Sequence, residues 1–244
     1  MTKQPSISLK LHDDLSALIS TVEPGGRLPS EPELALQLGV SRATLREAMR
    51  TFETQGKLRR RQGSGTFVTH TSHIIESGLE VLESIETLSK RIGLQVKMGE
   101  CLIKIRPGDP EEIKALDIGE DSAVLSVERV ILADDRPVAY LVDILPHDSI
   151  TEEEFSNQFT GSVLDLLLQR GSPNLEISRT DINAVTANHD IARSMGIQRG
   201  DVLLGFVSYL YDSKSRVVDF SHSYFLPGYF NFHVVRRVGK NNIL

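Results

Sequence analysis

The sequence predicts an α+β protein with two domains: an N-terminal winged helix-turn-helix domain and a larger C-terminal α+β domain. Its 244 residues are enough for two ordinary domains. Positive charge is concentrated at the start, where residues 1–70 carry ten Lys/Arg against seven Asp/Glu, while the remainder carries 17 against 26. From residue 97 onward, strand-like runs alternate with short helices. The charge distribution indicates a polyanionic partner for the N-terminal part only.

The composition, 40% hydrophobic and 25% charged residues, is typical of a soluble globular protein. No apolar run approaches the ~20 residues of a membrane span, and the polar start MTKQPS has no signal-peptide core. We therefore expect a cytoplasmic protein without a membrane partner, associated with the nucleoid when it is bound to DNA. Cys101 is the single cysteine, which excludes an internal disulfide. We expect no metal and no cofactor.

Two helices are predicted at the N-terminus. Apolar residues recur at helical spacing in the first, at Leu11, Leu15, Leu18 and Val22. Ser30 followed by Glu33 has the pattern of a capping box that begins a second, short helix. Gly39 then ends that helix, and a tight glycine turn of this kind is typical of a helix-turn-helix motif.

A third helix follows, capped by Ser41, running to about Gln55 and ended by Gly56. At about 100° per residue, two neighbouring arcs of this helix differ in character. The apolar arc holds Leu45, Ala48, Met49 and Phe52. The adjacent cationic arc holds Arg42, Arg46 and Arg50. One face would therefore pack against the domain, and the next would face an anionic partner.

The stretch KLRRRQGSGTFV predicts a hairpin. It reads as a strand, a turn at Gly63 to Gly65 and a returning strand of Thr66 to Val68, flanked by the arginines 59–61. Such a basic hairpin after a basic helix forms the wing of a winged helix. DNA phosphates attract this face at any sequence, and we expect Arg61 to contribute there, whereas arginines that reach base edges supply specificity.

The segments LPSEPELA, VSRATLREAMRTFETQG and RRRQGSGTFV resemble the winged-helix domain of the GntR superfamily of bacterial transcription regulators. The resemblance implies that the recognition helix contacts DNA through Ser41, Arg42, Thr44 and Arg46. It also implies that Gln62 and Gly63 belong to the wing that follows the minor groove. Many members have a DNA-contacting arginine where this chain has Pro32, so one contact is missing or replaced.

Residues 71–92 are predicted to form a helical linker between a DNA-binding domain at 1–70 and an effector domain at 93–244. Apolar residues recur at helical spacing at Ile75, Leu79, Leu82, Ile85 and Leu88. His70 and His73 lie three residues apart, but no other ligand type is placed to complete a metal site. They are expected to be solvated linker residues.

A loose internal repeat relates residues 113–146 to residues 191–227. Each copy is predicted as a helix, a turn, a strand, a hairpin turn and a longer strand. The helices have cap residues, Asp109 with Glu112 in the first copy and Asn188 in the second. Between them, GSVLDLLLQRG predicts another helix, with Ser162 and Asp165 as a capping box. Two such halves would pack together as one α+β unit.

VERVILADDRPVAYLVDILP and GSVLDLLLQRG resemble the UTRA effector-sensing domain of the HutC subfamily, whose fold is like that of chorismate lyase. The resemblance implies a pocket between the two halves for a small, usually anionic metabolite. The positions that match the family's ligand-binding residues are Arg129, Ser162, Arg179 and Asp219. The chain departs from the family pattern at Ile131, Phe225 and the LPG of 226–228, which leaves fewer cationic groups for a ligand.

Taken together, these features predict a ligand-responsive, sequence-specific DNA-binding regulator, of the repressor type. The alternative is an enzyme of chorismate-lyase-like fold with an accessory DNA-binding domain. The sequence has no spaced carboxylate pair, Ser-His-Asp set or metal cluster to support that alternative. We also expect a homodimer on palindromic double-stranded DNA half-sites, because one winged helix reads few base pairs. The apolar tail YFNFHVVRRV and exposed sheet are the expected dimer contact.

Overall fold

The computed structural model describes residues 7–54, 56–61, 63–69 and 75–236. The chain divides into two compact units. The first comprises residues 1–74 together with 226–229, and the second comprises 75–225 together with 230–244. No helix in the described part of the chain is both long enough and apolar enough to cross a membrane.

The first unit is a three-helix bundle with a two-stranded hairpin. Its helices are α1 (Ile7–Thr21), α2 (Glu31–Gln37) and α3 (Arg42–Thr54), followed by β1 (Leu58–Arg61) and β2 (Gly65–Val68). The backbone N–H of Ser30 donates to Glu33 Oε2 at 2.8 Å, and the Thr44 N–H donates to Ser41 Oγ at 3.1 Å. The predicted caps of α2 and α3 are therefore confirmed.

The apolar arc of α3 lies in the core of this unit. Buried side chains from all three helices, the segment between α1 and α2 and the hairpin form that core, namely Leu11, Leu15, Ile19, Leu28, Leu34, Ala35, Leu45, Met49, Phe52, Leu58 and Val68. Gly39 and Gly56 have φ of 64° and 70°, so each takes the left-handed conformation predicted for a residue that ends a helix. The core fixes the rotation of α3 and leaves its basic arc in solvent.

The second unit is built on one six-stranded antiparallel sheet in the order β4-β5-β6-β9-β8-β7. The strands are β4 (Val96–Pro107), β5 (Ala123–Ala133), β6 (Arg136–Pro146), β7 (Leu175–Thr186), β8 (Val202–Asp212) and β9 (Val217–Phe225). Helix α5 (Pro110–Leu116) follows β4 and helix α8 (His189–Met195) follows β7. Each half thus has the same β-α-β-β order, and β6 pairs with β9 where the halves meet. The order helix, strand, strand predicted for each copy is confirmed, but the second strand is not the longer one, since β5 and β6 both have 11 residues and β9 has 9 against 11 in β8.

Helices cover both faces of this sheet. Leu116 of α5 packs on one face with Val124, Ile144 and Phe220. The other face packs against α7 (Val163–Arg170), which follows α6 (Glu152–Gln158). The core there contains Leu125, Val127, Leu145, Ile150, Val163, Leu166, Leu167 and Leu210. Only part of this second face is filled, and the unfilled part forms the cavity described below.

The predicted helix across 75–92 is wrong in its first half. Residues Ile75–Gly78 form strand β3, and only Ile85–Arg91 form a helix, α4. Strand β3 pairs in parallel with β10 (Phe230–His233), about 155 residues further along the chain. Leu79 and Leu82, which the helical stripe would bury, are 40% and 48% exposed. The spacing of the apolar residues predicts a helix, whereas strand β3 forms by pairing with β10. Because β10 is so distant in the sequence, that pairing leaves no local pattern in residues 75–78.

Part of the apolar tail predicted as a dimer contact packs within its own unit, and the dimer contact itself stays a prediction. Phe230 and Phe232 belong to β10 and pack inside their own unit, with ring centroids 4.8 and 5.0 Å from that of Phe225. These rings fill the end of the cavity, because the β3–β10 pair holds them over the sheet. Val234 and Val235 remain exposed. His70 and His73 lie outside the described residues.

Candidate DNA interface and effector cavity

A basic cleft runs between the N-terminal ends of α2 and α3 and the wing. Its volume is about 690 Å³. Five arginines line it, Arg27, Arg42, Arg46, Arg60 and Arg61. They come from the segment before α2, from α3 and from β1, so the fold brings together cations that are separate in the sequence. Such a cluster attracts phosphate oxygens and presents bidentate donors to base edges.

Glu31, the first residue of α2, joins two parts of this cleft. Its Oε2 accepts from Arg46 Nε at 2.6 Å, and its Oε1 lies 2.5 Å from Arg60 Nη2. The carboxylate is 14% exposed, whereas both arginine side chains are 52% exposed. Arg46 makes its pair through Nε and Arg60 makes its pair through Nη2, and both side chains remain about half exposed. Glu31 therefore links the recognition helix to the wing, a role not predicted from the sequence.

The predicted DNA-binding residues occupy one surface. Arg42 and Arg46 lie in the first two turns of α3 and line the cleft. Ser41 and Thr44 are exposed at its start, where their hydroxyl oxygens are 2.8 Å apart. Pro32, in the first turn of α2, also lines the cleft. Because its side chain carries no charge, this position adds no cation to the cleft.

The wing carries the rest of the predicted set. The Arg61 guanidinium lies over the Phe67 ring, 5.2 Å from its centroid, and Gly63 occupies the turn with φ of 75°. At Gly65, with φ of 114°, an added Cβ would lie 2.7 Å from Arg27 Nε, so this glycine allows Arg27 to reach the wing. Gln62 lies outside the described residues, and its predicted role is not addressed by the structure.

The second unit holds a cavity of about 760 Å³ on one face of its sheet. Its floor consists of alternate residues of neighbouring strands, among them Arg129, Asp143, Ser208, Asp219 and Ser221. Alternation in a strand puts every second side chain on the same face, so these side chains converge. The roof comes from residues 77–86, from α7 and from the two phenylalanines of β10.

A buried ion pair lies at the centre of the floor. Arg129 is 5% exposed, and its Nη1 donates to Asp143 Oδ2. Burial alone lowers the pKa of Arg129, but the charge of Asp143 and their hydrogen bond raise it above its usual value, so the guanidinium stays charged. Arg129 Nε has no hydrogen-bond partner among the described residues. One donor of the guanidinium is thus still available in the cavity.

Asp219 lies next to this pair on β9 and is 7% exposed. Burial raises the pKa of Asp219 well above its usual value, and the charge of Asp143 and a hydrogen bond between the two carboxyl groups raise it further, while the charge of Arg129 lowers it. Its Oδ1 has no hydrogen-bond partner within the described part of the chain. Buried carboxylate oxygens are normally hydrogen-bonded, so an unpartnered one in a cavity wall indicates a position for a ligand donor.

Ser162 lines the cavity and is 2% exposed, but its Oγ caps α7 by accepting from the Asp165 N–H at 3.0 Å. Asp165 does not complete the predicted capping box with its carboxylate. Instead, Asp165 Oδ2 accepts from Ser84 Oγ at 2.7 Å and ties α7 to the segment before α4. This residue therefore braces the roof of the cavity.

Arg179 is not brought to the cavity, contrary to prediction. Ser178 and Thr180 on either side of it line the cavity, so Arg179 points to the opposite face of β7. There its Nη2 pairs with Asp181 at 3.1 Å, and its side chain is 66% exposed. Even and odd positions of a strand face opposite ways, and the resemblance alone did not fix which set faces the ligand.

The sequence analysis missed two acidic residues of the cavity, Glu86 and Asp143. Glu86 lies in the first turn of α4, and burial raises its pKa. Asp143 lies in the apolar run AYLVDILP of β6, where a lone aspartate between apolar neighbours was the available signal. With them included, the charged residues of the lining are Arg129 against Glu80, Glu83, Glu86, Asp143, Glu176 and Asp219. This balance runs against the expectation of an anionic effector.

No group of three or more His, Cys, Asp or Glu residues suited to a metal ion occurs among the described residues. Two family models match the chain, "Bacterial regulatory proteins, gntR family" over residues 7–68 and "UTRA domain" over residues 92–231. These two ranges correspond to the cleft and to the cavity.

Curated and solved proteins show the same likeness. The chain is 31% identical over 185 residues to the HTH-type transcriptional repressor NagR of Bacillus subtilis, which covers 75% of this chain and 74% of that protein. It is 29% identical over 185 residues to the Histidine utilization repressor of Pseudomonas aeruginosa, covering 74% and 71%. The crystal structure of PhnF from Mycobacterium smegmatis has the same fold, with a TM-score of 0.64, 20% identity, and coverage of 94% of this chain and 100% of that chain.

Proposed function

Because the chain belongs to the GntR family of bacterial regulatory proteins, in the HutC-like group that carries a UTRA domain, we propose that it is a homodimeric repressor that binds a palindromic operator. The family makes it a ligand-responsive DNA-binding transcription regulator and not an enzyme. The observation that carries the proposal is the cleft in which Glu31 joins Arg46 of the recognition helix to Arg60 of the wing.

In the proposed complex, α3 enters the major groove and the wing follows the adjacent minor groove. The residues that contact the groove edge are Ser41, Arg42, Thr44 and Arg46, and Arg46 binds base acceptors through its two Nη groups. The wing residues Arg61 and Gly63, together with Gln62, contact the backbone. The exposed cations support this arrangement, because they occupy one surface of the unit.

We infer a homodimer from the small number of base pairs that one winged-helix domain can contact. A single recognition helix contacts about three to four bases, too few to identify a site in a genome, whereas two heads on a palindrome double the site. The domain division 1–70, 71–92 and 93–244 is retained in the proposal, with dimer contact through the last of these. We assign the protein to the cytoplasm, at the nucleoid when it is on DNA.

The effector is proposed to bind in the cavity of the second unit, next to Arg129, Ser162 and Asp219. An effector changes operator affinity only if it binds the DNA-competent and DNA-incompetent states differently. Residues 77–86 contribute to the cavity lining, and this segment lies between the wing and β4 in the chain. Its position gives the effector a covalent route to the DNA-binding unit, with a typical coupling of ~1 to 3 kcal/mol, or about 5- to 150-fold in operator affinity.

Selection from a random duplex library with the full-length chain tests the DNA-binding proposal. The enriched sequences should contain an inverted repeat whose half-sites lie about one or two helical turns apart. Light scattering should show a particle of about twice the 27.1 kDa chain mass, free and on the selected duplex. Enrichment of a single, unrepeated site together with a monomer mass would contradict the dimer.

A further inference from the structure

We propose that the cavity of the second unit recognises a small organic cation, through a protonated primary amine bound at Asp219. This inference rests on the proposed function, since it names the chemical class of the effector that the cavity binds. It replaces the anionic effector that the family resemblance implied.

The first step is the charge near the ligand position. Asp219 and Asp143 are buried acids of the lining and Glu86 is a partly buried one, and Arg129 is the one cation in the lining that the structure describes. Arg129 already pairs with Asp143, so its charge is compensated before a ligand enters. The two further acids, Asp219 and Glu86, offer an anion no compensating charge, and their negative forms would repel it in a low dielectric. A cation compensates those acids.

The second step is the unpartnered oxygen. Asp219 Oδ1 is buried in the cavity wall and lacks a hydrogen bond from any described residue. An ammonium N–H satisfies this acceptor with a charge-assisted hydrogen bond. A quaternary ammonium carries the same charge but has no N–H, so it leaves the oxygen unsatisfied. The geometry therefore favours a primary amine over a fully methylated one.

The third step is the gradient of side chains along the floor of the cavity. Alternate residues of β9 change from acid to hydroxyl to aromatic, as Asp219, Ser221, Ser223 and Phe225. The neighbouring strands continue the hydroxyl row, where Thr180 Oγ1 and Ser208 Oγ are 2.9 Å apart. Phe206, Phe230 and Phe232 continue the aromatic end. A ligand with an amine at one end and an apolar or hydroxylated body matches this order.

Ligand binding should release protons. Burial raises the pKa values of Asp219 and Glu86. A bound ammonium stabilises the charged form of each carboxylate and therefore lowers both pKa values. The ionisable groups that face or adjoin the cavity from the surrounding elements are Glu80, Glu83, Glu86, Cys101, Arg129, Asp143, Asp165, Glu176 and Asp219. An anionic ligand would act in the opposite direction and would take up protons.

The test measures ligand binding to the full-length chain by thermal shift and calorimetry at neutral pH, without DNA. Three matched sets serve as probes: phenethylamine against phenethyl alcohol and hydrocinnamate, hexylamine against hexanol and hexanoate, and glucosamine against glucose and gluconate. The trimethylammonium analogue of phenethylamine is the N–H control. We expect at least one amine to bind about tenfold or more tightly than its neutral and anionic counterparts, with proton release seen in buffers of different ionisation enthalpy.

Two variants assign the binding to the cavity. Asp219→Asn should weaken amine binding about tenfold or more, while Asp181→Asn, on the exposed face of the same sheet, should bind like the native chain. If Asp219→Asn does not fold, Glu86→Gln replaces it with the same expectation in direction. Preferential binding of an anionic or neutral probe, absence of binding by every amine, or equal amine binding by the cavity variant would overturn the proposal. The operator assay is separate, so failure of DNA binding would count against the proposed function alone.

Discussion

Glu31 Oε2 accepts a hydrogen bond from Arg46 Nε at 2.6 Å, so the first residue of one helix orients an arginine of the recognition helix. The same carboxylate pairs with Arg60 of the wing at 2.5 Å. Cations of the cleft are therefore pre-positioned in the free protein rather than on arrival of the DNA. Pre-positioning reduces the side-chain entropy that binding would otherwise cost.

Removing the charge of Glu31 tests this arrangement. Glu31→Gln should weaken binding to the selected operator by about 0.5 to 1 kcal/mol, because Arg46 and Arg60 lose their common anchor. Affinity for a scrambled duplex should stay the same or rise, since a negative charge has been removed from a basic surface. Fluorescence anisotropy with both duplexes gives the two affinities. Glu47→Gln is the matched control, since Glu47 is 78% exposed and pairs with Arg50 on the same helix.

Arg46→Ala should remove sequence discrimination. We expect a loss of roughly 1 to 3 kcal/mol in operator binding, with a much smaller loss on scrambled DNA, because a bidentate base contact is specific to one base pair. Competition binding against operators altered at each half-site position would identify the position at which the preference relaxes. Operator affinity equal to that of the native chain would exclude Arg46 from the recognition surface.

Arg61→Ala should weaken binding to all sequences alike. Arg61 lies on the wing over Phe67, and we propose that its charge meets the DNA backbone rather than a base edge. Removal of one phosphate contact should reduce the slope of log K against log salt by about one. Titrations over a series of salt concentrations measure this slope. A change confined to the operator would instead place Arg61 on a base.

Gly65→Ala should destabilise the wing. The residue has φ of 114°, and an added Cβ would lie 2.7 Å from Arg27 Nε. We expect a loss of about 1 to 3 kcal/mol in unfolding free energy of the first unit, with weaker DNA binding. Gly63→Ala is the control, because its φ of 75° is also left-handed but nothing lies within 4 Å of the added Cβ. Denaturant titration should therefore show the larger loss for Gly65.

Asp219→Asn should stabilise the ligand-free protein. The pKa of Asp219 is higher in the folded protein than in the unfolded chain. Its carboxyl therefore does not lower the free energy of unfolding below the unfolded pKa of about 4. As the pH rises from there toward the folded pKa, ionisation lowers that free energy progressively. The variant removes this cost, by roughly 0.5 to 2 kcal/mol. Melting curves of both proteins should coincide in acid and separate as pH increases. A constant difference at all pH values would contradict ionisation of Asp219 as the cause.

Much of the N-terminal unit could be predicted because its signals are local. Ser30 with Glu33, Ser41 with Thr44, and Gly39 are cap and turn signals within four residues of their partners, and all three were found in place. The repeat in the second unit was also visible, since each copy carries its own cap and strand pattern. By contrast, β3 was mistaken for a helix, because its hydrogen-bond partner β10 is remote in the chain.

The sequence by itself determined the recognition helix, the wing, the doubled β-α-β-β unit and the family, because capping, helical periodicity and turn chemistry act between near neighbours. Only the tertiary structure decided the chemistry of the two surfaces. It placed Glu31 between two arginines 14 residues apart, turned Arg179 away from the ligand, and gathered Asp143, Asp219 and Glu86 from three elements into one cavity. Strand register and face set these contacts, and a pairing between distant segments is fixed by the packing of the whole sheet.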